Sequence, residues 1–271
     1  MDRLEQIRYL IDILLFELPQ YREQAARRSQ DEDSQRRLLR GLMNLRPPLP
    51  LRGDFLAVQD QLLIAERQAR GVVEADALPA CARGPRMSLW QGDITRLGAD
   101  AIVNAANSAL LGCFVPCHGC IDNAIHSAAG LQLRDECSRI MAAQGHPEPT
   151  GRAKLTAGYN LPAQHVLHTV GPIVRGPLRQ EDCELLASCY RACLSLAAEH
   201  GLSSVAFCCI STGEFHFPND KAAAIAVETV EGFLRQTGSD LKVIFNVFKD
   251  EDYALYRALL GADRASSRSD P

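Results

Sequence analysis

The sequence predicts an α/β protein in which a mixed central sheet is layered between helices, with a purely helical segment in front. Two observations carry this. From about residue 86 short apolar runs rich in β-branched residues alternate with longer segments of helical periodicity, an alternation that implies parallel strands and crossover helices. Before residue 70 apolar residues recur only at helical spacing.

In the helical segment the pattern runs through Leu4, Ile7, Leu10, Ile11, Leu14 and Leu15, then through Leu38, Leu39, Leu42 and Leu45. The charged stretch from Arg22 to Arg37 reads as a solvated helix face or a connection between helices. Pro47-Pro48-Leu49-Pro50 breaks any helix, and FLAVQDQLLIAERQAR (55–70) resumes the pattern. Residues 9–18 are apolar, but Asp12 and Glu17 within them make an amphipathic helix and not a signal peptide. Strands are expected within 87–93, 99–107, 166–171, 203–211 and 241–248, and helices over 121–142, 180–200, 219–236 and 250–260. The segment 151–165 reads as a hairpin-like pair, which makes the sheet mixed. The expected organisation is a helical extension (1–75), an α/β domain (76–262) and a polar, disordered tail (263–271).

Composition narrows the function. The net charge of −4 and pI near 6.0 leave no basic footprint for nucleic acid, and no apolar run approaches the roughly 20 residues that cross a bilayer. Ten cysteines without an export signal point to a reducing, cytoplasmic setting. Cys183, Cys189, Cys193, Cys208 and Cys209 lie in apolar periodic segments and read as small core hydrophobes.

In such sheets the ligand sits beyond the carboxyl ends of the strands. Three loops qualify: Gly92-Asp93-Ile94-Thr95, the stretch 104–120, and Ile210 to Pro218. The second contains Cys113-Phe-Val-Pro-Cys117-His118-Gly-Cys120. Two thiolates and an imidazole suit Zn²⁺. Cys117 would close a four-ligand structural site, although adjacent side chains in extended backbone point to opposite sides, which separates it from His118. A packing role for Cys117 or a thiol redox switch are the alternatives.

With these loops side by side the chain resembles the macrodomain family, whose members bind ADP-ribose. GDIT (92–95), VNAAN (103–107), IDNAIHSAAG (121–130), HTVGP (168–172) and ISTGEFHFP (210–218) match in the expected order over residues 86–260. Where ordinary members carry a run of glycines this chain has CFVPCHGC, which looks like the zinc-dependent branch, and that branch also has a helical N-terminal extension. The resemblance implies a three-layer fold and a hydrolase that removes mono-ADP-ribose from acidic side chains of proteins. It also implies reversal of a sirtuin-like ADP-ribosyltransferase.

Carried over residue by residue, the resemblance implies one Zn²⁺ on Cys113, His118 and Cys120, with a fourth position open to water or a sugar oxygen. Whether the metal would activate water or only hold the ribose stays open. Asp122 matches the aspartate that positions water or ribose, and Asn107 the asparagine at the distal ribose. Asp93 would accept from the adenine amino group, beside the Ile94 amide. The loop Ser211, Thr212, Gly213, Glu214 and Phe215 would cradle the diphosphate with its N–H groups, Gly213 allowing close approach. Phe248 would stack on adenine or pack in the core. Asn104, His126, His168 and Trp90 read as structural. Two rival functions share the pocket: a reader of ADP-ribose with a structural zinc, and a deacetylase of O-acetyl-ADP-ribose.

Overall fold

Asp2 starts the first helix, α1 (Arg3–Glu17), with a capping box: its carboxylate accepts the Glu5 N–H while Glu5 accepts the Asp2 N–H. The structure is a computed structural model that describes residues 1–261. The expected tail, 263–271, lies outside the described residues. A short helix α2 (Arg22–Ala26) leads to α3 (Glu32–Leu45) and α4 (Gly53–Arg70). Ile7, Leu10 and Leu14 of α1 pack with Leu39 and Leu42 of α3 and with Phe55 and Leu62 of α4 in a separate apolar cluster. The proline-rich turn between α3 and α4 leaves carbonyls without helical partners. Buried Arg46 donates to those of Pro47, Leu49 and Pro50 and pairs through Nε and Nη2 with Glu17 at 2.6 and 3.0 Å.

After β1 (Val73–Glu74) the chain enters the sheet region: β2 (Met87–Gln91), β3 (Leu97–Gly98), β4 (Ala101–Ala105), α5 (Ile121–Ala129) and α6 (Leu131–Gln144). It continues through β5 (Ala153–Ala157), β6 (His165–Thr169), α7 (Gln180–Glu199), β7 (Ser204–Phe207), α8 (Asn219–Thr237), β8 (Lys242–Val247) and α9 (Asp250–Leu260). The main sheet has the order β2-β8-β7-β4-β6-β5, parallel throughout except for the antiparallel β5–β6 edge. β1 and β3 form a small parallel pair that ties the end of the helical segment to the sheet region. Parallel strands covered on both faces need apolar side chains at successive positions. Val205, Ala206 and Phe207, and Val243, Ile244 and Phe245, are accordingly all buried.

The mixed α/β architecture is as expected from the sequence, with two local differences. The single helix expected over 121–142 breaks at Gly130, because the buried side chain of Gln59 from α4 accepts the Leu131 N–H and starts α6 as a new helix. Of the five cysteines assigned to the core, Cys189, Cys193 and Cys208 are buried, but Cys183 and Cys209 are only half-buried. Among the described residues no helix is long and apolar enough to cross a membrane.

Because β2, β8, β7 and β4 are consecutive neighbours, the loops after their carboxyl ends converge on one rim of the sheet. Just under that rim, on β6, sits His168, completely buried and with its pKa pushed down to about 3 by burial. His126 on α5, also buried, is lowered well below its ordinary value, first by burial and then by the proximity of His168 and Arg134. Between roughly pH 6.5 and 3 the unfolded chain therefore binds protons at these positions that the folded chain does not, so stability should fall as the pH drops through that window. Urea midpoints from pH 7 to pH 4 should decline, and less steeply in His168→Asn; identical slopes would contradict the assignment.

Candidate functional site

The rim holds a cleft of about 790 Å³. All the residues singled out in the sequence line it: Asp93 and Ile94 after β2, Asn107, Cys113, His118, Cys120 and Asp122 between β4 and α5, Ser211 to Phe215 after β7, and Phe248 after β8.

At one end Asp93 caps the 3₁₀ turn of residues 94–96, accepting from the Thr95 N–H at 2.9 Å and the Thr95 hydroxyl at 2.7 Å. Its other oxygen receives Arg70 of α4 at 3.1 Å. Ile94 is buried beneath the turn. Phe248, 76% exposed, is not a core residue but stands open at the cleft edge, the disposition a stacking platform requires. Asn246 and Lys249 on either side also line the cleft and were not anticipated. Asn246 had a signal, a buried amide in an otherwise apolar strand, and it donates to the Gly92 carbonyl at 2.9 Å.

In the middle, the loop after β7 turns through left-handed backbone at Ser211 (φ 66) and His216 (φ 55), not at Gly213. A Cβ at Gly213 would meet no neighbour within the chain, so the protein's own packing does not require glycine there. The close approach is at Gly171, where a Cβ would lie 2.0 Å from the buried Ser211 Oγ. Among the described residues the N–H groups of Thr212, Gly213, Glu214 and Phe215 make no hydrogen bond, which leaves donors for an anion. The Glu214 side chain is 72% exposed, and its carboxylate lies 3.7 Å from His118 Nε2.

At the far end the loop after β4 brings Cys113, His118 and Cys120 together, with ligand atoms all within 4.8 Å of one another and Cys113 Sγ 3.7 Å from His118 Nδ1. Cys117 is not in this group; its Sγ donates to the Arg37 carbonyl at 3.3 Å. Gly112 (φ 78) must be glycine, because a Cβ there would sit 2.8 Å from the His126 ring. Cys120 caps α5, its Sγ accepting the Asn123 N–H at 3.4 Å. Burial pushes the Cys120 thiol up to about 11 against that hydrogen bond, and the adjacent Cys113 thiol adds to the rise. Two thiols this close disfavour a second negative charge unless a cation lies between them.

Asp122 is 5% exposed. One carboxylate oxygen accepts from Asn104 Nδ2 at 2.8 Å and the other from Asn107 Nδ2 at 3.3 Å. Asn107 also donates to the Gly112 carbonyl at 3.1 Å and accepts the Ala109 N–H at 3.0 Å, so it joins a turn role to its place beside Asp122. Burial raises the Asp122 carboxyl to about 6, opposed by the Asn104 hydrogen bond and the charge of Arg134. Asn104 Nδ2 lies 3.2 Å from His168 Nδ1, and an amide nitrogen donates, so that ring nitrogen accepts. His168 Nε2 then carries the proton and donates to Thr156 Oγ1 at 3.0 Å. A second cluster of His126, Cys137 and His168 lies close by, but this tautomer occupies both His168 nitrogens and leaves none for a metal. His126 has no hydrogen-bond partner at either ring nitrogen among the described residues; its Nε2 lies 3.5 Å from Asp122.

Known proteins resemble the chain in sequence and in fold. The Macro domain family pattern matches residues 103–226. The chain is 52% identical to a protein-ADP-ribose hydrolase of Treponema medium over 262 residues, 96% of this chain and 100% of that protein. It is 52% identical to a protein-ADP-ribose hydrolase of Staphylococcus aureus (strain MSSA476) over 227 residues, 83% of this chain and 85% of the relative. Among solved structures it superposes on the Trypanosoma brucei macrodomain in complex with ADP-ribose with a TM-score of 0.64 at 33% identity, covering 82% of this chain and 95% of that one. By sequence and by fold, the chain belongs to the macro domain family.

Proposed function

We propose that the chain is a hydrolase that releases mono-ADP-ribose from modified protein side chains, esters of Asp and Glu foremost, using a zinc ion held by Cys113, His118 and Cys120. The observation that carries this is the meeting, in one cleft, of a soft three-ligand cluster, the carboxylate of Asp122 and a loop of unpaired amides. The relatives named protein-ADP-ribose hydrolase support the activity. The fold neighbour in complex with ADP-ribose supports the ligand. A sirtuin-like transferase as the opposing enzyme rests on the family resemblance alone.

The ligand cluster fits zinc. Bond lengths of about 2.3 Å to sulfur and 2.0 Å to nitrogen in a tetrahedral site place two ligand atoms roughly 3.5–3.8 Å apart. The Cys113 Sγ–His118 Nδ1 separation of 3.7 Å is close to the sulfur–nitrogen value of about 3.5 Å. When bound, the metal supplies a Lewis-acidic positive centre at the sugar end of the cleft. Cys117, turned to the Arg37 carbonyl, does not make a fourth ligand, and this favours the hydrolase over a reader with a closed structural site.

The chain's own residues supply the rest. Phe248 gives adenine an open face, and Asp93 offers an acceptor at that end. The amides of Thr212 to Phe215 receive the diphosphate, and the Glu214 carboxylate lies beside His118 rather than on those amides. Asp122 is held by Asn104 and Asn107 in one orientation, from which it accepts a hydrogen bond from a water or a ribose hydroxyl. Cleavage at the anomeric carbon builds positive charge on the sugar ring, and a fixed carboxylate stabilises it.

Replacing Cys113, His118 or Cys120 by Ala should abolish release of ADP-ribose from a mono-ADP-ribosylated carboxylate substrate while leaving ADP-ribose binding within a few-fold of wild type, on the order of 1 kcal/mol or less. Assay and calorimetry together check this; full turnover in any of the three would refute the proposal. Asp122→Asn should lower kcat by about 10²–10⁴ with little change in KM. Phe248→Ala should weaken ADP-ribose binding by about 10-fold, the worth of one stacked ring pair, without altering metal content.

A further inference from the structure

We propose that α3 of the N-terminal helical segment is a positioning element for the metal-ligand loop, acting through Asn44, Arg40 and the backbone of Cys117, and that Cys117 straps the loop rather than binding metal. The inference rests on the reading that Cys113, His118 and Cys120 hold zinc.

The loop between β4 and α5 contains no helix or strand, and it passes through left-handed backbone at Leu110 (φ 57), Gly112 (φ 78) and Cys117 (φ 54). A side chain with a Cβ resists that conformation, which persists only where the surroundings impose it. At Cys117 the imposing group is identifiable. Its N–H donates to Asn44 Oδ1 at 2.9 Å, and Asn44 Nδ2 donates to Ser127 Oγ on α5 at 3.0 Å, so one buried amide of α3 ties the loop to the helix behind it. The Cys117 thiol adds a contact to the Arg37 carbonyl of the same helix.

Arg40, one turn before Asn44, acts through a second amide. Its Nη2 and Nε donate to Asn123 Oδ1 at 2.8 and 3.3 Å, which orients Asn123 Nδ2 toward the carbonyls of Val115 (3.0 Å) and Cys113 (3.4 Å). Arg40 Nη2 also reaches the His118 carbonyl at 3.4 Å, and the Asn123 N–H meets Cys120 Sγ. Every proposed ligand is therefore bonded either to Asn123 or to the arginine that orients it. The end of α3 is fixed in turn by Arg134, which donates to the carbonyls of Met43, Asn44 and Arg46 and, within the loop, to Leu111. Groups that orient ligands from behind tune metal affinity by about 10–100-fold.

The test is zinc affinity by chelator competition, with melting temperature and ADP-ribose binding measured alongside, in the full chain. Asn44→Ala and Cys117→Val should each weaken zinc binding by about 10-fold or more, while ADP-ribose binding stays at the wild-type level. Cys117→Gly keeps the N–H and suits the left-handed backbone, so it should bind zinc as wild type does. Both Cys117 variants lose the thiol, so their difference reports the backbone, and that pair decides the matter if Asn44→Ala fails to fold. Variants with lowered melting temperatures but unchanged zinc affinity would reduce α3 to a scaffold and overturn the inference. Loss of zinc in Cys117→Gly would make Cys117 a ligand and overturn it as well. A wild-type chain that binds no zinc removes the reading beneath it, and the inference falls with that reading.

Discussion

The path of the loop from Asn107 to Cys120 is set by side-chain amides, and the cleft depends on it. The loop has no ladder of backbone hydrogen bonds, and beyond a few turn contacts its carbonyls and N–H groups are bonded by Asn44, Asn107, Asn123 and the guanidinium groups of Arg40 and Arg134. Buried polar networks of this kind are rigid when fully satisfied and costly when one member is lost. Arg134 also lies 4.4 Å from the Phe114 ring centroid, covering the loop's apolar tip with a cation. The proposed chemistry, with three metal ligands and a carboxylate in register, suits a loop held from behind on several sides.

The sheet contributes a second buried chain of polar groups. Thr156 on β5, His168 on β6, Asn104 on β4 and Asp122 on α5 are linked end to end, and the asparagine amide, donating to both the carboxylate and the ring, sets the histidine tautomer. The parallel register sets Asn104 directly opposite His168, so the pair is a product of strand alignment. A neutral imidazole beneath and two amide donors around the carboxylate keep Asp122 in place without pairing it to a full positive charge. Its acidity is consequently governed by burial.

Much of this was legible in the sequence because it is local. Alternating apolar runs foretold the strands, and GDIT, NAAN and STG are short contiguous segments that the family resemblance could match directly. What escaped was set by contacts between distant segments. The break at Gly130 (φ 97) is held by Gln59, 72 residues before Leu131, and the strap on Cys117 comes from Asn44, 73 residues earlier. Neither leaves a periodic trace. The left-handed turn at Ser211 had no local signal, and the glycine that makes room for its side chain is Gly171, after β6, which is separated from β7 by β4. Arg134 offered only a faint signal, one of the arginines of a helix whose other buried residues are Leu131, Leu133 and Cys137.

The most direct measurement is the hydrolysis rate as a function of zinc occupancy, with native mass spectrometry counting bound metal in each sample. The account predicts a rate that rises in proportion to occupancy and saturates at about one ion per chain, the stoichiometry of a single three-ligand site. A folded, metal-free chain that binds ADP-ribose and still cleaves at the full rate would contradict it.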